Sequence, residues 1–279
     1  MAVDYIVNFD CKAKQELGSE GIIHLVKARS RAEALLSRFL DQGMSQSEAM
    51  SAQFGVQTKL PNGESKVDTV SVGSLFKQAE LLDDHRGACQ ACPVSLSAPF
   101  GCYSSINYPI SEAAEEWLAK MAAKAIAAGM PNSILVKFIL DQNVSGEHFA
   151  GMRNPEDFTY LSAAYPFEIE VEQEDNVPLL IDTNQILDMF FAIGEMQEVH
   201  QQFLLFFSGG LSIQDHEPDK SKIGIEYQAG VIQGEGNPRY WVFRMPDTLS
   251  DDRSIRQIKA YLRAVFAAQC TAATVSVDF

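Results

Sequence analysis

The chain has 279 residues, of which 46% are hydrophobic and 21% are charged. Its 22 Lys and Arg stand against 37 Asp and Glu, which gives a formal net charge of −15. These proportions are typical of a folded globular protein and exclude disordered and fibrous chains. The negative charge repels phosphate backbones and anionic lipid surfaces, so we expect neither nucleic acid nor a membrane among the partners.

The N-terminus carries no pattern of an export signal. Asp4 stands where a secretory signal has basic residues, and the apolar residues around it alternate with polar ones instead of forming a continuous run. Five cysteines in a chain of this length do not suggest an extracellular disulfide framework. The sequence therefore predicts a soluble cytoplasmic protein.

The first third of the chain alternates between strand and helix patterns. An Asn-Gly turn at 61–63 lies between two alternating runs and predicts a β-hairpin. Ser30 and Gly43 are suited to begin and end a helix. The predicted elements are strands at 5–9 and 22–26, a helix at 31–40, the hairpin strands 56–60 and 67–72, and a short helix at 74–82.

Residues 83–110 are rich in Gly, Pro and Cys and show no clear periodicity, so we predict a long loop that a cross-link or a metal holds in place. The pattern His85-x3-Cys89-x2-Cys92-x9-Cys102 places four metal-binding side chains within this loop. A Cys-x2-Cys turn lets two thiolates converge on one ion. Gly101 is expected to adopt the positive φ that turns Cys102 towards that ion.

This ligand set favours zinc. An iron–sulfur cluster is the alternative, and it ranks second because such clusters usually take four cysteines. The fourth ligand is expected to be His85, or else Asp83 or Asp84. Where His85 binds, the two aspartates are expected to orient its ring from the other nitrogen. Two interpretations without metal stay open: buried structural thiols, or a disulfide or redox pair formed by Cys89 and Cys92. Pro93 argues against the long helix that follows a thioredoxin-like Cys-x-x-Cys. Cys11 and Cys270 are predicted to lie outside the cluster.

Helices and strands alternate again in the remainder of the chain. Gly and Pro cluster at 144–166, and there we place a boundary between residues 1–150 and 151–279, with one continuous domain as the alternative. Glu195 and His200 are five residues apart, which favours capping or solvent-exposed roles over a metal site. The predicted elements are helices at 112–128, 134–140, 182–193, 195–207 and 250–268, and strands at 167–171, 223–232, 240–243 and 272–277.

Together these patterns predict an α+β fold, or a mixed α/β fold, with helices packed on β-sheet. The predicted function is that of an interaction or ligand-binding protein with a structural zinc-like site in loop 83–110. The alternative is a thiol-redox or metal-dependent enzyme that uses Cys89 and Cys92. The sequence identifies no catalytic residue and no cofactor motif beyond this metal set.

Overall fold

The computed structural model describes residues 2–59, 65–96, 98–127, 162–171, 179–214, 226–228, 231–235 and 240–278. The fold is α+β, as predicted. The chain divides into two compact units. The inserted unit is Asp10–Cys92, and the main unit consists of Met1–Phe9 and Pro93–Phe279. The predicted boundary at 150/151 lies outside the described residues, so the division into 1–150 and 151–279 stays a prediction.

The elements follow one another in a mixed order. The first part of the chain holds β1 (Ala2–Val7), α1 (Lys12–Leu17), α2 (Ser19–Asp41), α3 (Gln46–Ser51), β2 (Gln53–Lys59), β3 (Ser65–Ser71), α4 (Val72–Ala79), α5 (Arg86–Gln90), β4 (Tyr103–Asn107) and α6 (Glu112–Ala127). The second part holds β5 (Glu168–Val171), β6 (Leu179–Asp182), α7 (Thr183–Phe191), β7 (Gly194–Met196), α8 (Glu198–Phe207), β8 (Leu211–Gln214), β9 (Glu226–Gln228), β10 (Val231–Glu235), β11 (Tyr240–Arg244), α9 (Arg253–Cys270) and β12 (Val275–Asp278).

The main unit contains an antiparallel sheet of four strands in the order β4-β1-β12-β7. Both ends of the chain enter this sheet, because β1 pairs with β12 in the register Tyr5↔Val277. A second antiparallel sheet has the order β8-β11-β10-β9, and β5 pairs with β6. Strand predictions near 5–9, 167–171, 240–243 and 272–277 are therefore confirmed within a few residues.

Helix α9 is the central helix of the main unit. Its N-cap is Asp252, whose side chain accepts a hydrogen bond from the Ile255 N–H at 2.8 Å. Tyr261 is fully buried, donates from its hydroxyl to the Phe190 carbonyl at 2.9 Å, and packs edge-on against the Tyr5 ring. The helix predicted at 250–268 is thus confirmed, and its apolar side chains form the core of the unit.

The inserted unit is built around α2, which is 23 residues long. The strand predicted at 22–26 is wrong, because these residues belong to the helix. Ile22, Leu25, Ala28 and Ala32 are spaced three or four residues apart, and this spacing buries them on one helical face. Helix α4 and the β2–β3 hairpin supply the apolar partners of that face, and the predicted hairpin is confirmed.

Two further segments differ from the prediction. The cysteine stretch is more regular than a loop, because it contains α5, β4 and two short 3₁₀ helices at Glu80–His85 and Pro93–Ser95. The helix predicted at 195–207 begins only at Glu198, since β7 pairs with β12. None of the described helices is long and apolar enough to cross a membrane.

Candidate functional site

The four predicted metal ligands fall in different parts of the fold. His85 ends a 3₁₀ helix, Cys89 lies in α5, and Cys92 ends the inserted unit. Cys102 belongs to the main unit and immediately precedes β4. Within the described ranges there is no group of three or more His, Cys, Asp or Glu that could hold a metal ion. The zinc and iron–sulfur sites therefore stay predictions, which elemental analysis of the purified protein would test.

The surroundings of His85 differ from those expected of a zinc ligand oriented by Asp83. Its Nε2 lies 3.8 Å from a carboxylate oxygen of Glu16 on α1. Asp83 instead accepts a hydrogen bond from the Arg29 guanidinium at 2.8 Å. Arg29 also donates to the Ala79 carbonyl at 2.9 Å, so this contact fastens α2 to the end of α4. The Asp83 carboxylate therefore has a structural partner, and the orientation of the His85 ring by Asp83 and Asp84 stays a prediction.

The cysteines form no disulfide with one another, and all five lie among the described residues. Cys89 is buried at the C-terminal end of α5, and its carbonyl accepts the Cys92 N–H at 3.1 Å. Reactive thiolates are favoured at helix N-termini, where the helix dipole stabilises the negative charge. The position of Cys89 does not provide that effect, and the redox alternative stays a prediction. At Cys270, burial raises the thiol pKa to about 12.

Gly101 lies against the Ser95 backbone, where a side chain has no space, and its own φ is not positive. The residue with positive φ is Phe100, at 63°, so the sequence expectation for Gly101 is wrong. A Cβ at Gly101 would lie 1.9 Å from the Ser95 carbonyl oxygen, which no side chain tolerates. The Cys102 carbonyl then accepts the Val7 N–H at 2.8 Å. The turn therefore delivers Cys102 to the β1–β4 pairing of the main sheet.

Buried acidic groups in the main unit serve the fold. The Glu115 carboxylate is fully buried and accepts the backbone N–H groups of Ala164 and Tyr165 at 2.9 and 3.0 Å. Burial raises its pKa, and the two N–H groups oppose that rise. Glu115 thus anchors the segment before β5.

At the N-terminus of α8, the His200 Nδ1 accepts the Gln197 N–H at 3.1 Å, which confirms the capping role predicted for His200.

The candidate binding site is a groove of about 490 Å³ in the inserted unit, between α2 and β2. Leu35, Phe54 and Val56 supply apolar surface, and Arg31 and Arg38 lie on the same helical face as Leu35. The two arginines are seven positions apart in the sequence, which places their Cα atoms about 10 Å apart along the helix. The full lining is Arg31, Ala34, Leu35, Arg38, Phe54, Gly55 and Val56.

The groove carries two exposed cationic side chains. Arg31 and Arg38 are exposed, and no carboxylate of the described residues forms an ion pair with either. The inserted unit holds ten Lys and Arg against eleven Asp and Glu, so it is nearly neutral. The main unit carries the remaining charge of −14. An anionic ligand at the groove therefore meets two arginines that have no ion-pair partner in the described part of the chain, on a nearly neutral unit.

Sequence reasoning did not find this groove. The predicted helix at 31–40 contains Arg31, Leu35 and Arg38. Their spacing of four and three residues already placed them on one helical face, and this was the available signal. The hairpin residues Phe54 and Val56 come to this helix only through the tertiary packing of the inserted unit. No local pattern reveals that contact.

No family model, no curated protein and no solved structure matches this chain.

Proposed function

We propose that the protein is a binding protein, and that the groove between α2 and β2 captures an acidic segment of a partner protein. The observation that carries this proposal is the pair Arg31 and Arg38 on either side of the apolar residue Leu35. A ligand that suits this surface presents carboxylates to the two guanidinium groups and an apolar side chain between them. The sequence prediction of a cytoplasmic protein without nucleic-acid or membrane partners remains part of this proposal.

The apolar part of the groove supports an amphipathic ligand over a simple anion. Phe54 is half-buried, since it also packs on the core of Ala28, Ala32, Val72 and Leu75. Phe54 therefore connects the groove to the buried core of the inserted unit. Burial of an apolar side chain there adds hydrophobic free energy to the exposed ion pairs, which alone contribute only about 0.2–1 kcal/mol each.

The test uses a labelled, end-capped peptide of sequence Thr-Glu-Thr-Val-Thr-Glu-Thr, with binding measured by fluorescence anisotropy. We expect the full chain to bind this peptide and not its counterpart with lysine in place of glutamate. The double variant Arg31→Glu/Arg38→Glu should weaken binding at least tenfold, because two attractive pairs become repulsive. Higher salt should also weaken binding, since the pairs are exposed.

The matched control is Lys77→Glu/Arg86→Glu, which makes the same change of charge at exposed residues of the same unit. We expect this variant to bind the peptide within twofold of the wild-type affinity. Absence of binding to the wild-type chain, or equal weakening by the two double variants, would contradict the proposed function.

A further inference from the structure

Strand β2 has a strand partner along only one of its edges among the described residues. Strand β2 pairs with β3 from Gln53↔Ser71 to Lys59↔Ser65 and with no other described strand. We call the side of β2 away from β3 its open edge. A two-stranded sheet is only marginally stable, and an unpaired edge is a template for another strand.

The groove reaches the main chain of this strand. Its lining includes three consecutive residues, Phe54, Gly55 and Val56. Side chains alternate between the two faces of a strand, so a side chain at position 55 would point away from the face that carries Phe54 and Val56. A Cβ at Gly55 would meet the Val67 Cγ1 at 3.0 Å, which confirms that direction. The groove therefore meets Gly55 through its backbone.

Glycine in the interior of a strand weakens that strand and commonly marks a place where another backbone approaches closely. Gly55 is exposed and lies between the two apolar residues that form part of the groove. An extended peptide placed along the open edge would thus contact β2 by main-chain hydrogen bonds. Its side chains that face α2 would lie over Leu35 and between the two arginines.

We propose that the acidic segment of the partner binds as an added β-strand along the open edge of β2; this inference rests on the proposed function. Alternate residues of the segment then face α2 in the order acidic, apolar, acidic. Acidic residues four apart in a strand are separated by about 13 Å, and the long arginine side chains bridge the difference from the helical spacing of about 10 Å. Main-chain pairing supplies affinity, and the side chains supply specificity.

The experiment is an N-methyl scan of the peptide Thr-Glu-Thr-Val-Thr-Glu-Thr against the full chain. Only every second N–H of an added strand points to the strand beside it. We expect N-methylation at one alternate set of residues to weaken binding at least tenfold, and at the other set less than threefold. The reordered peptide Thr-Thr-Glu-Val-Glu-Thr-Thr, which turns valine away from the glutamate face, should also bind at least tenfold more weakly.

The outcomes separate this inference from the proposed function. If the parent peptide binds through Arg31 and Arg38 while the scan shows no alternation, strand addition is overturned and the proposed function stands. If the parent peptide does not bind, both fail. A concentration-dependent dimer of the peptide-free protein that Arg31→Glu/Arg38→Glu dissociates would assign the edge to a second copy of the chain and would overturn the inference.

Discussion

Asp188 on α7 is an acidic residue whose side chain is partly removed from water, and its pKa is raised as a result. Its Oδ1 is buried and has no hydrogen-bond partner among the described residues. Burial, together with the negative charge of Asp182, raises the pKa of Asp188 to about 6. The folded state therefore binds the Asp188 proton more tightly than the unfolded state does, and unfolding between about pH 4 and pH 6 releases this proton.

We expect Asp188→Asn to stabilise the protein at pH 7. A raised carboxyl pKa contributes stability below the unfolded value near 4, and this contribution is lost as the pH rises towards 6. A shift of about two units corresponds to roughly 3 kcal/mol, which solvent screening of the half-buried group reduces to about 1–2 kcal/mol. Denaturant unfolding at pH 4, 5, 6 and 7 measures the gain, which should vanish near pH 4.

The control for this prediction is Asp84→Asn, which alters an exposed carboxylate. Its free energy of unfolding should follow the wild-type pH dependence within about 0.5 kcal/mol. A gain in Asp188→Asn that is equal at pH 4 and pH 7 would contradict the assigned pKa.

The sequence predicted the chemical type of individual residues better than their neighbours in space. The spacing of His85, Cys89, Cys92 and Cys102 favoured zinc, and that site stays a prediction. The passage of the chain from one compact unit to the other at Cys92/Pro93 has no signal in this spacing. Asp83 lies two residues before His85 in the sequence, while its hydrogen-bond partner Arg29 is 54 residues away. Contacts of this range depend on packing, and a local pattern does not encode them.

At the scale of elements, α9 fixes the segment that precedes it through two cationic side chains one turn apart. The Lys259 Nζ lies 2.6 Å from the Asp251 Oδ2 and donates to the Pro246 carbonyl at 2.8 Å. Arg263 donates to the Met245 carbonyl at 3.1 Å. The Lys259 and Asp251 side chains are 6% and 5% exposed, so this ion pair is screened little by water.

We expect Lys259→Met to destabilise the main unit by about 3 kcal/mol, because it leaves the Asp251 carboxylate buried without its cation. Burial acts to raise the Asp251 pKa, but the hydrogen bonds from Lys259 and Thr248 outweigh it and lower that pKa. Chemical denaturation at pH 7 measures the loss. Adding Asp251→Asn to Lys259→Met should recover part of the stability, because no isolated charge then remains.

Asp247→Asn provides the comparison within the same segment. Asp247 pairs with Arg263 at 3.2 Å, but its side chain is 46% exposed. We therefore expect a loss below about 1 kcal/mol. A Lys259→Met variant that loses no more stability than Asp247→Asn would show that burial does not strengthen the α9 contact.

Elements with strong local signals were predicted well, and those decided by packing were not. The Asn-Gly pair in the sequence predicted a hairpin, and the pairing of β2 with β3 confirms it. Asp182 predicted the start of α7, where its side chain accepts the Asn184 N–H at 2.8 Å. The β-branched run at 22–26 favoured a strand, but its residues join a long helix whose apolar face is buried. Burial of that face outweighs the small strand preference of the isolated segment.

At the scale of the whole molecule, the charge and the topology divide the chain in the same way. The acidic surplus of −14 lies in the main unit, and the groove lies in the nearly neutral inserted unit. The inserted unit leaves the main unit after β1 and returns before β4, and these two strands are antiparallel neighbours in the register Ile6↔Tyr103. The main sheet therefore contains no strand from residues 10–92.

We expect residues 10–92, expressed alone, to fold and to bind the acidic peptide with the affinity of the full chain within threefold. The unit contains its own apolar core, its own hairpin and every residue that lines the groove. Circular dichroism and cooperative thermal unfolding test the fold, and anisotropy tests binding.

The complementary variant replaces residues 10–92 by a flexible Gly/Ser linker of about ten residues, because closing a loop of this length costs little free energy. It should keep its β-sheet signature and lose peptide binding. An isolated 10–92 segment that does not unfold cooperatively would contradict the independence of the inserted unit, whereas a folded segment that fails to bind, beside a full chain that binds, would place the peptide elsewhere.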